Sequence, residues 1–228
     1  MTRLLIFDFD DTLVNNHYLD IKSFEIPYKM VSLDPPSKYE IKKLRKKGKT
    51  ADYIIKNNLK KNNLKKFYNN IINEREKFFS KDQTNYLILQ NHLEKNLAKI
   101  KIKNIELNII TANKNKKLVL QFLKQKKIIK YFSKVVFMDD LNIKLDNRDE
   151  GNRILIKRSL LYSILKKSRI KKNEILYIGN SLEDFKACEN LQINFIHFQN
   201  DYLSKLVNNE IITINSMSEL KNAIRIMI

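Results

Sequence analysis

Five short apolar runs rich in β-branched residues, RLLIF, IELNII, KVVFM, EILYI and INFIHF, constrain the fold of this chain more than any other feature. Each is apolar almost throughout instead of alternating with polar residues, so each expects cover on both faces. Four of the five lead into amphipathic helical patterns, among them NKNKKLVLQFLKQKK, ILIKRSLLYSILKKS and SLEDFKACENL after the second, third and fourth runs. Buried strands alternating with helices specify an α/β fold, a doubly wound parallel sheet with helices on both sides. The run EIITI adds an edge strand before a closing helix opened by the capping box SMSE, Ser216 to Glu219.

The first run is the exception. Residues from Val14 to Lys103 separate it from the second, whereas a βα loop takes about 2–6 residues. An all-helical unit is therefore expected within residues 15–85. Residues 1–14 and 104–228 form the α/β core, and YLILQNHLEKNLAKIK, within 86–103, returns to it as a helix. The inserted patterns are YEIKKLRKK, TADYIIKNNL and NLKKFYNNIINEREKFFS, with Pro27, Pro35 and Pro36 punctuating the first part. Lysines lie beside aromatics here, but the helical period of Leu64, Phe67, Tyr68, Ile71, Ile72, Phe78 and Phe79 points to core packing, not base stacking.

At 228 residues and 43% hydrophobic composition the chain can bury a sizeable core. No stretch approaches the roughly 20 apolar residues of a membrane span, and an apolar strand beginning next to Met1 leaves no room for a signal peptide, so a cytoplasmic location is expected. The single Cys188 cannot form an internal disulfide, in keeping with a reducing compartment. Lys and Arg number 44 against 25 Asp and Glu, a net charge of +19. The basic residues are spread along the chain and not blocked together, which favours attraction of small anionic substrates over a nucleic-acid partner. A monomer or dimer and no membrane partner are expected.

Ligands of open parallel sheets bind at the carboxyl ends of the strands. The first run ends in LLIFDFDDTLV, which crowds Asp8, Asp10 and Asp11. Adjacent acids repel and raise one another's pKa unless positive charge, usually a metal ion, lies among them. Thr111 follows the second run, Asp139 and Asp140 the third, and Gly179, Asn180 and then Asp184 the fourth. Carboxylates and an amide oxygen suit Mg²⁺, which takes hard oxygen ligands and keeps some of its waters. Lys157, at the expected start of the helix after the third run, supplies a fixed cation, with Arg153, Arg158 and Lys144 as rivals. Where an average chain this size holds roughly 16 glycines, this one holds 3, Gly48, Gly151 and Gly179, all expected to border one cleft. His17, His92 and His197 show no metal-site spacing, and Cys188 reads as core.

These residues resemble the haloacid dehalogenase superfamily over essentially the whole chain. DFDDT resembles its first motif, IITAN its second, and GNSLED its fourth, while Lys157 fits the third by position. The insertion resembles the helical cap of the phosphoglycolate phosphatase and beta-phosphoglucomutase branch, with KKGKTADYIIKNNL similar to its specificity loop. The resemblance implies a phosphomonoester hydrolase: Asp8 as nucleophile, Asp10 as general acid and base, and Thr111 and Lys157 as phosphate ligands. It further implies Mg²⁺ on Asp8, Asp10, Asn180 and Asp184, a small phosphorylated substrate contacted by Asn113, Lys47, Gly48 and Lys49, and a cap that closes to exclude water. Asn180 stands where the family usually has an acid, which implies weaker metal binding with retained activity. The rival readings are a phosphomutase, a nucleic-acid or nucleotide end phosphatase, and a binding protein that has lost its chemistry.

Overall fold

The computed structural model describes residues 2–47, 49–81, 83–101, 104–142, 145, 150–199 and 211–226. In chain order its elements are β1 (Leu4–Asp8), β2 (Val14–Asn15), α1 (His17–Met30), α2 (Lys38–Lys46), α3 (Ala51–Lys61), α4 (Tyr68–Ser80), β3 (Ile88–Leu89), α5 (Leu93–Lys101) and β4 (Glu106–Thr111). There follow α6 (Lys116–Gln125), β5 (Lys134–Phe137), α7 (Glu150–Lys167), β6 (Ile175–Gly179), α8 (Leu182–Leu191), β7 (Asn194–Phe198), β8 (Ile212–Ile214) and α9 (Leu220–Ile226). Of the described residues, 2–15, 89–199 and 211–226 make one compact unit and 16–88 another. None of the described helices is long and apolar enough to cross a membrane.

The first unit is built on a six-stranded sheet in the order β5-β4-β1-β6-β7-β8, every pairing parallel. The chain winds outward from β1 through β4 to β5, and α7 then carries it back across the sheet to β6 on the other side of β1. Strand order thus reverses beside β1, the place where open α/β sheets bind ligands. Every residue of β1 and of β6 is buried, which explains their unbroken apolar sequence. Leu4 and Ile6 pack on Ile156, Leu160, Leu161 and Ile164 of α7 and on Ala187 and Cys188 of α8. Strand alternation sends Leu5 and Phe7 to the opposite face, where Phe7 meets Phe132 edge-on at 6.0 Å and Phe9 meets Phe122 of α6 at 6.1 Å. Each such side chain contributes about 1.5–3 kcal/mol by leaving water.

The second unit packs α1 to α4 around Phe24, Tyr28, Ile41, Ile54, Ile55, Leu59 and Ile71. Pro27 lies inside α1 and has no N–H to give the Ser23 carbonyl. Arg75 of α4 fills that place, its Nε donating to Ser23 O at 3.2 Å and its Nη2 to Ser23 Oγ at 3.1 Å. The guanidinium also stacks over Phe24 and Phe79, and burial lowers its pKa to about 10. Arg45 grips Asp20 through both Nε, at 2.9 Å, and Nη2, at 2.5 Å.

Three local expectations are corrected. The segment expected as a joining helix across 86–103 holds a strand, Ile88–Leu89, and its helix runs only over Leu93–Lys101. Gln90 N donates to Leu13 O at 3.0 Å, and His92 takes a left-handed turn, φ 64, that separates strand from helix. The long pattern from Asn63 to Ser80 breaks into a 3-10 turn over Lys65–Phe67 followed by α4. Ser216 caps through the N–H of Ser218 at 3.2 Å, heading a 3-10 turn before α9. The segment after INFIHF, 200–210, lies outside the described residues.

Candidate active site

Asp8 is the last residue of β1, opposite Ile110 of β4, one residue before Thr111. On the other side Phe7 pairs with Ile178, one residue before Gly179. The register therefore brings together the carboxyl ends of β1, β4 and β6. Beyond Asp8 the chain turns back, with Phe9 O accepting the N–H groups of Leu13 at 3.0 Å and Val14 at 3.2 Å. Asp11 occupies the left-handed region at φ 57, which Asp tolerates better than most residues. The turn buries Thr12, whose hydroxyl donates to Asn180 Oδ1 at 3.2 Å.

Lys157 reaches this point from α7, two turns in from Glu150 and not at the helix start. Its ammonium lies between two buried carboxylates, bonding Asp8 Oδ1 and contacting Asp184 Oδ1 at 2.9 Å. Burial opposes its charge, but Asp184 and Asp8 outweigh that cost and raise its pKa. Burial pushes the Asp8 carboxyl up, Lys157 pulls it down, and Asp184 and Asp10 push it further up. Asp184 is fixed on every side: Tyr177 OH donates to Oδ1 at 2.7 Å. Asn180 N at 3.2 Å, Ser181 N at 3.1 Å and Ser181 Oγ at 2.7 Å all donate to Oδ2. Those donors and Lys157 fill its lone pairs, so in this arrangement Asp184 anchors Lys157 and the Gly179–Ser181 turn and does not face a ligand. The turn needs glycine, because a Cβ at Gly179 would lie 2.7 Å from Asp184 Cγ.

A second cluster surrounds Asp10. Asn113 Nδ2 donates to Oδ1 at 3.1 Å and Oδ2 at 3.3 Å, and Thr111 Oγ1 approaches Oδ2 at 3.4 Å. Asn113 N donates to Thr111 Oγ1 at 3.0 Å. Asn113 Oδ1 accepts Asn115 N–H at 2.9 Å, and Asn115 in turn caps α6 by accepting Leu118 N–H at 3.0 Å.

The other candidates fall elsewhere. Arg153 is paired with Glu183, Nε at 2.7 Å and Nη2 at 2.6 Å. Asp140 pairs with Lys116 at 2.6 Å, while Asp139 and Arg158 are exposed. Gly151 is exposed in the first turn of α7, whereas Gly179 is buried at the end of β6. Lys47 and Lys49 belong to the inserted unit and are exposed, with Lys49 Nζ 4.8 Å from the Tyr53 ring centroid. Gly48 and Lys144 lie outside the described residues. Cys188 is buried in the core, and burial raises its pKa. Tyr177 and Ser181 are not among the residues the sequence singles out, and His197 is considered there only as a metal ligand. His197 is buried beneath the site and bonds the Asn180 backbone, with burial lowering its pKa. A tyrosine in an otherwise apolar strand is the one usable signal, since a buried phenol needs a partner.

Comparison with known proteins agrees with this architecture. Solved structures share it at low identity, which speaks to the fold. A protein from Clostridium difficile provisionally named a phosphatase superposes with TM-score 0.76 and 14% identity over 97% of this chain and 98% of that one. A HAD-superfamily hydrolase, subfamily IA, variant 1, from Geobacter sulfurreducens PCA gives 0.72 and 13% over 97% and 96%. One from Haemophilus somnus 129pt, named a predicted phosphoglycolate phosphatase, gives 0.72 and 16% over 98% of each. No curated protein matches significantly. The profile of the haloacid dehalogenase-like hydrolases matches residues 5–198, a span that takes in both clusters and every main-sheet strand but the last, and on that match the chain belongs to this family of enzymes.

Proposed function

We propose that the chain is a Mg²⁺-dependent phosphomonoester hydrolase acting on a small phosphorylated metabolite through an aspartyl-phosphate on Asp8. The observation that carries this reading is the Asp8 carboxylate held by Lys157 at the switch point of the sheet, with the Asp10 carboxylate oriented two residues on. An Asp8 oxygen attacks phosphorus as the ester P–O bond breaks, and Asp10 gives its proton to the departing oxygen. Water then attacks the phosphorus, returning a proton to Asp10, and the Asp8 oxygen leaves with its bonding pair. Lys157 and Thr111 stabilise the phosphoryl oxygens, a role of about 2.7–4 kcal/mol for comparable donors.

Mg²⁺ fits the donor set. Asp8 and Asp184 share a single ammonium and Asp10 adds its negative charge beside Asp8, leaving negative charge in excess among hard oxygens. No group of three or more His, Cys, Asp or Glu side chains among the described residues is arranged for a metal; the Asp8 carboxylate, the Asp10 carbonyl and the Asn180 amide oxygen are the groups that would hold the ion. The ion would neutralise phosphate charge, more weakly held than with an acid at 180. Purified protein with p-nitrophenyl phosphate and Mg²⁺ tests the reading. Turnover should vanish with chelation and with Asp8→Asn; activity surviving that substitution removes the mechanism.

A further inference from the structure

Resting on that reading, we propose that Asn113 is a positioning residue for the general acid and not a phosphate or substrate contact. Its amide orientation is fixed by chemistry: only Oδ1 can accept the Asn115 N–H at 2.9 Å, so Nδ2 is the atom presented to Asp10. That nitrogen lies 3.1 Å from one Asp10 oxygen and 3.3 Å from the other. The remaining donor the second strand end offers, Thr111 Oγ1, is at the long distance of 3.4 Å. Asn113 also sets Thr111, because its backbone N–H takes one lone pair of that hydroxyl at 3.0 Å. Through Asn115 the whole assembly is tied to the first turn of α6, a rigid element. The Asp10 carboxyl, which sits on a turn after β1, thus takes its direction from the β4–α6 turn across the site.

The reacting step shows what that direction is for. As the Asp8 O–P bond forms and the ester P–O bond breaks, the proton on Asp10 passes to the departing oxygen, which leaves as an alcohol. An alkoxide leaves poorly without that proton; a nitrophenolate leaves well without it. A misdirected Asp10 therefore slows esters of alcohols and spares esters of acidic phenols, whereas a lost phosphate contact slows both alike.

The test compares Asn113→Ala and Asn113→Ser with wild type on an alkyl phosphate and on p-nitrophenyl phosphate, reading kcat/KM, which reports steps up to phosphorylation of Asp8. Serine retains an oxygen able to accept the Asn115 N–H, so it preserves the turn while removing the amide donor. General acid catalysis is worth about 10²–10⁴-fold, and losing its positioning should cost about 10–100-fold on the alkyl ester. The loss on the aryl ester should be at least about tenfold smaller, in both variants. Equal losses on the two esters, or an alkyl-ester rate within about threefold of wild type, overturn the proposal. Absence of wild-type turnover, or turnover by Asp8→Asn, would instead remove the hydrolase reading itself.

Discussion

A methyl group added at Gly179 gives a sharp prediction. In Gly179→Ala the new Cβ would sit 2.7 Å from Asp184 Cγ, 2.7 Å from its Oδ2 and 2.8 Å from its Cβ, all closer than carbon atoms approach. The obstacle cannot swing aside as a surface side chain would, because Asp184 is 0% exposed and held by Lys157, Tyr177, Ser181 and the Asn180 amide. Overpacking a filled core costs about 1–3 kcal/mol. Pushing the carboxylate off one of its donors forfeits a hydrogen bond to a charged group, about 1.5–3 kcal/mol. The variant should therefore lose about 3 kcal/mol in urea unfolding, or about 6–12 °C in Tm for a chain of this size. Gly151→Ala is the control, since that glycine is exposed in α7; it should be neutral or stabilising by up to about 1 kcal/mol. A Gly179→Ala protein within about 0.5 kcal/mol of wild type would refute the packing argument.

Lys157→Met strips the cation from two buried carboxylates and should destabilise by about 3–5 kcal/mol in the same unfolding assay; a loss under about 1 kcal/mol would mean the ammonium is not shared between them. Tyr177→Phe removes one donor to Asp184 at unchanged shape and should cost about 1.5–3 kcal/mol at neutral pH. Against its own burial, Asp184 is held below the ordinary carboxylate range by Lys157, Ser181 and Tyr177. A depressed folded-state pKa gives stability present above the unfolded value, about 4, and lost as pH falls through the folded one. The Tyr177→Phe deficit should therefore shrink below about pH 4, and a deficit constant with pH in acid titrations of both proteins would contradict the linkage.

The sheet was legible because its strands are buried on both faces, so that RLLIF or EILYI carries no polar alternation and resembles nothing but a core strand. Ile88–Leu89 was not, because YLILQNHLEKNL has a helical period and its pairing with Val14–Asn15 lies far away in sequence. The position of Lys157 was misjudged by two turns because α7 begins at Glu150, in a polar loop that reads as coil. The use made of Asp184 was hidden for a different reason. Which carboxylate faces a ligand depends on the backbone amides it meets, and the amides of Asn180 and Ser181 are absent from any motif. Asn113 shows the same limit, since its amide acts on a residue one strand away.

Direct trapping of the phosphorylated enzyme is the most direct test of the account. Protein mixed with Mg²⁺ and substrate, quenched in acid within a turnover and digested, should carry a phosphoryl group on the peptide that contains Asp8, and Asp8→Asn should carry none. Steady turnover with no phosphoryl group on that peptide, or with the group on another residue, would contradict it.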